Sequence, residues 1–265
     1  MKAQPGYQGE ADLRKKGHVV NRAWKADDKD APTLTELDAM LEYILKNGEM
    51  FFGSDTTDKG YTPVMDVHRL FVFGKALRAG GSNYAQSGFR KAMKLIERTS
   101  AVVVGAHKVT PPLTIRTHAT SFLGAFDGSQ HQNTHCDTVQ NTKGNPKPGI
   151  NAPMSILFAL QPNTTVTVCT GSHIALEKFL TGKGAEVTLE SVKWETVTLD
   201  AGEFCLFYGH TLHEGDAYKT PNIRAHAYLD SSLYKLEGNS TMPIARILDL
   251  VPFEYRDLAK RMFAH

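Results

Sequence analysis

The spacing of apolar residues along the chain changes near residue 100. In "TLTELDAMLEYILKNG", Leu37, Met40, Leu41, Ile44 and Leu45 recur at helical steps, which predicts an amphipathic helix. Thr33 and Glu36 form a capping-box pattern at its start, and Gly48 suits the position just past its end. A second helix is predicted over "YAQSGFRKAMKLIERTS", with Phe89, Met93 and Ile96 on one side. Both stripes read as core-facing rather than as a membrane or cofactor surface. Residues 51–83 between them are irregular and glycine-rich, with apolar pieces such as "RLFVFGKAL".

From residue 101 onward, short β-branched or aromatic runs follow one another: "AVVVGAHKV", "LTIRTHATSFLGAF", "MSILFALQP", "TTVTVCTGSH", "EVTLESVKWETVTL", "EFCLFYGHTLHEG" and "NIRAHAYLD". Gly, Pro, Asn and Asp cluster between them. This texture predicts a β-sandwich or jelly roll rather than βαβ units. The tail "PIARILDLVPFEYRDLAKRMFAH" returns to helical character, interrupted at Pro252. The expected class is mainly β with flanking helices (α+β), the helices lying outside a two-sheet core. Residues 1–32 are polar and mixed in charge and read as a flexible or loosely packed lead-in. Residues 33–265 read as one domain, with N-terminal helices and a β core over about 101–230.

Composition narrows the setting more than the function. A chain of 265 residues can bury a sizeable core. A formal charge of +2 makes no strong case for nucleic acid or a membrane surface. The basic run "RKKGH" reads as a solvated face. The start "MKAQPGYQGEADLRKKGH" has no apolar signal region, and no run approaches the roughly 18 apolar residues that span a bilayer. Cys136, Cys169 and Cys205 are odd in number and widely spaced, so a reducing, intracellular, cytoplasm-like compartment is expected.

Candidate chemistry begins at "NTHCDTV". On a strand, residues two apart share a face, so His135 and Asp137 would project together with Cys136 behind them. Among 11 histidines a lone H-x-D is a frequent chance match. In "GEFCLFYGHTLHEGDAYKTPNIRAHAYLD" an apolar run leads into His210 and His213. A histidine from there would complete two imidazoles and a carboxylate. That set suits non-haem Fe(II) with open positions, although zinc accepts the same donors. Arg224 follows His213 by 11 residues. Buried, its guanidinium would need an anion, and a dicarboxylate cosubstrate would supply one; on the surface it would bridge to an Asp or Glu.

In order and separation, the H-x-D, the strand leading to His213, and Arg224 together resemble the Fe(II)/2-oxoglutarate-dependent dioxygenase superfamily. They are most similar to its phytanoyl-CoA dioxygenase-like branch. "CTGSH" at 169–173 is similar to that branch's P-G-S-H turn, with Thr170 in place of proline. The resemblance spans roughly residues 115–230. It implies a double-stranded β-helix, a cupin-like jelly roll. It also implies Fe(II) held by His135, Asp137 and His213, 2-oxoglutarate gripped by Arg224, and O₂ as second cosubstrate. A C–H bond would be hydroxylated with release of succinate and CO₂; an intact Asp137 disfavours halogenation.

His173 in the G-S-H turn would either touch substrate or simply hydrogen-bond the loop. His226 shares the face of Arg224 and would line the cosubstrate pocket or pack there. Arg116 and His118 are further possible contacts with substrate or cosubstrate. His210 is expected on the face opposite His213, and His131 in a loop. The Gly/Pro/Asn-rich loop 138–153 is expected to border the substrate entrance. Expected partners are a small molecule or a protein side chain as substrate, with nucleic acid not favoured and no membrane. The rival classes are a non-catalytic jelly-roll binding module, with structural zinc or no metal, and a cupin-type metal-dependent hydrolase or isomerase. Neither rival requires a buried cation at Arg224.

Overall fold

Strands with period-two alternation dominate the second half of the chain in the computed structural model, which describes residues 9–25, 28–53, 64–73, 82–107, 113–115, 120–138, 153–230 and 242–264. In chain order the elements are α1 (Glu10–Lys16), β1 (His18–Arg22), α2 (Leu34–Asn47), β2 (Glu49–Gly53), β3 (Val64–Phe73), α3 (Asn83–Ala106), β4 (Thr114–Ile115), β5 (Ser121–Ala125), β6 (His135–Cys136), β7 (Met154–Ala159), β8 (Thr164–Thr170), α4 (Ser172–Leu180), β9 (Lys193–Leu199), β10 (Glu203–Tyr208), β11 (His213–Gly215), β12 (Asn222–Asp230), β13 (Met242–Pro243), α5 (Ile244–Leu250) and α6 (Arg256–Phe263).

The strands pair antiparallel in two sheets. The larger runs β1-β10-β7-β12-β5-β3-β2, with β4 also on β12; the smaller runs β13-β6-β11-β8-β9. Alternation explains how each sheet is covered. On β12, Ile223, Ala225, Ala227 and Leu229 join the core under α2 and α3, while Arg224, His226 and Tyr228 face a cavity on the other side. On β10, Phe204, Leu206 and Tyr208 face the helices, whereas Cys205 and Phe207 pack between the sheets with Val166 and Val168 of β8. Cys136 and Cys169 point the other way, into a third cluster with Phe179 of α4 and with Ile247, Val251, Met262 and Phe263 of the C-terminal segment. The layers are therefore helix, sheet, sheet, helix. Each buried Leu, Ile or Phe in them contributes roughly 1.5–3 kcal/mol.

The capping box of α2 forms as expected: Thr33 N–H donates to Glu36 Oε2 (2.7 Å) and Glu36 N–H to Thr33 Oγ1 (3.3 Å). Leu37, Met40, Leu41 and Ile44 are buried, but Leu45 is 60% exposed and lies off the stripe. Helix α3 runs past its expected end through "AVVVGA", which had strand character. Val103 continues the buried row of Phe89, Ile96 and Ser100 at helical spacing, and that burial outweighs the small helix cost of β-branched residues.

Two further expectations are corrected. Within the expected lead-in, residues 9–25 are ordered: β1 is an edge strand on β10, Leu13 is fully buried, and Trp24 sits in the core. Its polar composition hid a strand of which only one side is covered. Within 51–83, β2 and β3 form an antiparallel pair that extends the larger sheet.

Candidate metal centre

Two strands of the smaller sheet bring the two imidazoles together. His135 of β6 is the direct register partner of His213 of β11, so both side chains leave the same face, with ring centroids 4.3 Å apart. Asp137 follows two residues after His135 on that face, while Cys136 between them is buried behind the sheet. One donor atom from each of His135, Asp137 and His213 lies within 4.8 Å of the others, and all three residues are buried. His213 opens its own short strand rather than ending β10, as the sequence had suggested.

The same local device orients both rings. Nδ1 of His135 bonds the Asn133 carbonyl (2.7 Å), and Nδ1 of His213 the Thr211 carbonyl (3.0 Å), each two residues upstream. A carbonyl only accepts, so each Nδ1 carries the proton and each Nε2 is left with a bare lone pair. Burial lowers His135 to about 4, helped by the neighbouring His213, and burial likewise lowers His213. Burial alone would raise the Asp137 carboxyl. The imidazoles of His213 and His226 outweigh it and hold that carboxyl below the usual carboxylate range. Near neutral pH the site therefore offers two neutral imidazole nitrogens and one carboxylate, which is the ionisation state a divalent cation requires.

The larger sheet supplies the facing wall. Arg224 is 3% exposed, and its Nη1 has no partner among the described residues. Its guanidinium carbon lies 5.4 Å from the centroid of the Tyr218 ring, which steadies it, and the Tyr218 hydroxyl is tied to the backbone of Thr165. A partly open cavity joins the two walls, lined by His135, Asp137 and His213 on one side and by Arg224, His226 and Tyr228 on the other. Leu123, Leu157, Val166 and Phe207 make much of its remaining surface apolar. One cavity thus holds a metal-ligand set and a buried cation with no acidic partner among the described residues.

The remaining sequence candidates separate. His226 lines the cavity with its Nε2 3.3 Å from Asp137 Oδ2. His173 lies outside the cavity lining at the start of α4. Its Nε2 bonds the Arg14 carbonyl (3.0 Å), and its ring stacks on Tyr208. His210 joins that same stack, away from His213. His131 is exposed, 3.5 Å from Asp216. Arg116, His118 and nearly all of the loop 138–153 lie outside the described residues.

Sequence reasoning missed Ser155, whose hydroxyl donates to Asp137 Oδ2 at 2.5 Å. One signal was available: a lone polar residue in the apolar strand "MSILFA". It also missed Arg69, fully buried on β3. Arg69 donates to the carbonyls of Gln130 and Asp216 and so ties the segment before His135 to the end of β11.

No family model matches the chain, and no curated protein matches it. Solved structures do. The non-heme alpha ketoglutarate dependent epimerase SnoN from nogalamycin biosynthesis aligns at 17% identity and a TM-score of 0.53, over 83% of this chain and 81% of its own. The non-heme alpha ketoglutarate dependent carbocyclase SnoK from the same pathway aligns at 14% identity and a TM-score of 0.54, over 87% and 92%. AviO1 from Streptomyces viridochromogenes Tue57 aligns at 12% identity and a TM-score of 0.54, over 85% and 95%. The chain thus shares the fold of these proteins, an antiparallel two-sheet core with flanking helices.

Proposed function

We propose that the protein is a non-haem Fe(II)/2-oxoglutarate-dependent oxygenase that hydroxylates a C–H bond, and that its two facing sheets are the double-stranded β-helix of such enzymes. The observation that carries this reading is the buried Arg224, without an acidic partner among the described residues, in the same cavity as His135, Asp137 and His213. The fold shared with two alpha ketoglutarate dependent enzymes supports it.

The residues fit the groups they would hold. Two imidazoles and one carboxylate form the ligand set that keeps further positions of an octahedral ion open. A closed structural zinc site takes four protein ligands, and only three gather among the described residues. Iron with 2-oxoglutarate and O₂, when bound, supplies the oxidising power to break a C–H bond, with succinate and CO₂ released. The protein's own part is positional. The carbonyls of Asn133 and Thr211 hold both imidazoles in the ligating tautomer. Arg224 offers a two-point fork to a distal carboxylate, and Tyr218 keeps that fork from swinging. Leu123, Leu157, Val166 and Phe207 keep the space dry, which strengthens each of these interactions.

The substrate is a small molecule or a protein side chain. Among the described residues no helix is long and apolar enough to cross a membrane, and an intracellular setting suits three unpaired cysteines. Anaerobic addition of Fe(II) and then 2-oxoglutarate tests the reading. A weak visible band at about 500 nm is expected for the chelate, with succinate formed once air is admitted. Iron binding without any response to 2-oxoglutarate would refute it.

A further inference from the structure

Asp137 has two oxygens, and the structure treats them differently. Oδ1 faces the metal-ligand side, 3.6 Å from Nε2 of His213. Oδ2 accepts the Ser155 hydroxyl at 2.5 Å and meets Nε2 of His226 at 3.3 Å. Both of these groups come from the opposite sheet. Ser155 is on β7 and His226 on β12, neighbouring strands in register over this stretch, and both side chains point inward. Ser155 is fully buried. The His226 ring lies nearly parallel to Phe207, with centroids 6.1 Å apart and 16° between planes, and its other neighbour is Tyr228 at 4.6 Å.

Nε2 of His226 makes no aligned hydrogen bond at that distance, so its contact with Oδ2 is one of proximity. The hydroxyl of Ser155 can only donate to an ionised carboxylate. That donor occupies one lone pair of Oδ2, and the His226 ring crowds the same oxygen, which leaves Oδ1 the better-placed donor for a cation.

We propose that Ser155 is a positioning residue that clamps Oδ2 of Asp137, with the His226 ring set against it, so that the carboxylate binds its metal through Oδ1 alone and one more coordination position stays open. The proposal rests on the metal-site half of the function proposed above and needs neither 2-oxoglutarate nor turnover. A chelating carboxylate would fill one of the places that cosubstrates need, so the clamp protects the number of open sites rather than the strength of binding.

The test uses Mn(II) alone on the full chain and counts metal-bound waters by water-proton relaxation. Six-coordination with three single-point protein donors leaves three waters on the wild type. Ser155→Ala should lose about one water as Oδ2 turns onto the metal. Ser155→Thr, which restores a hydroxyl donor, should recover most of it. A rotamer change or loose packing would not produce that recovery. An unchanged water count in a folded Ser155→Ala variant overturns the proposal. Should that variant not fold, the wild type decides: two metal-bound waters instead of three mean that Asp137 chelates, and overturn the clamp. No Mn(II) binding by the wild type would instead overturn the metal-site reading itself.

Discussion

Two groups of buried histidines lie on either side of the larger sheet, and only one can hold a cation. In the first, His135, His213 and His226 surround Asp137. In the second, His173 and His210 stack with Tyr208 at centroid distances of 5.3–6.1 Å, and the charge of His18 is felt at His173. Burial lowers the pKa of His18, His173 and His210, the last to about 3. All six are drawn from one residue type and are largely or wholly buried, so imidazole content and burial do not make a site. A carboxylate within reach of two imidazoles does; a carbonyl partner alone does not, since His173 has one as well. The second group serves packing instead: His173 and Gly17 fasten the α1–β1 segment through Arg14, Thr211 and Tyr208.

The contrast breaks most sharply at Asp137. Asp137→Ala should abolish tight Fe(II) or Mn(II) binding in a titration, because two imidazoles without the charge are a poor site for a hard dication. His210→Phe should leave that affinity within about threefold, since additivity holds for sites with no shared partner. A comparable loss in both variants would erase the distinction between the groups.

Arg224→Ala should come next. Truncating one partner of a buried charge pair costs about 2–5 kcal/mol, so 2-oxoglutarate affinity should fall by roughly 30-fold or more. Metal affinity, measured by the same titration, should not change.

Smaller and confined to the second group is Gly17→Ala. Gly17 has φ +88°, and a Cβ there would sit 2.5 Å from His173 Nδ1. Strain of this kind costs on the order of 1–3 kcal/mol, read as a lower urea midpoint with metal affinity intact.

The last contrast is the pH response of the metal-free protein. His210 and His135 have folded pKa values near 3 and 4, below the usual histidine value of 6.5. The unfolded chain therefore takes up protons first as pH falls. Their contribution to stability is complete above about 6.5 and drains away toward 3–4. His210→Phe should flatten the slope of stability against pH between those limits, and saturating metal should steepen it, because protons then also compete for His135 and His213.

Much of the site was visible in the sequence because it depends on local rules. Residues two apart share a strand face, which placed His135 with Asp137 and Cys136 behind them. The same alternation put Arg224 and His226 on one face of β12. What stayed hidden depends on distance in the chain. Ser155 and His226 meet Asp137 from 18 and 89 residues away, across the gap between sheets, and no local pattern encodes that approach. His173 sat in a motif-like turn, yet its ring is taken up by Arg14, a partner 159 residues away. The strand β1 was missed because an edge strand needs few apolar residues, and the last turns of α3 because a run of valines fits either period.

The division of labour between the sheets has a metric consequence. One sheet carries the metal ligands and the other carries the guanidinium, so any acid gripped at both ends must span the gap between them. Packed sheets stand roughly 10 Å apart, and the apolar residues Val166, Val168, Leu157 and Phe207 pack in that gap, rather than the charged groups that would grip the acid. The hydrophobic filling acts as a gauge: it sets which chain length fits, and a bulkier or smaller side chain there would select a longer or shorter diacid without altering any residue that binds it.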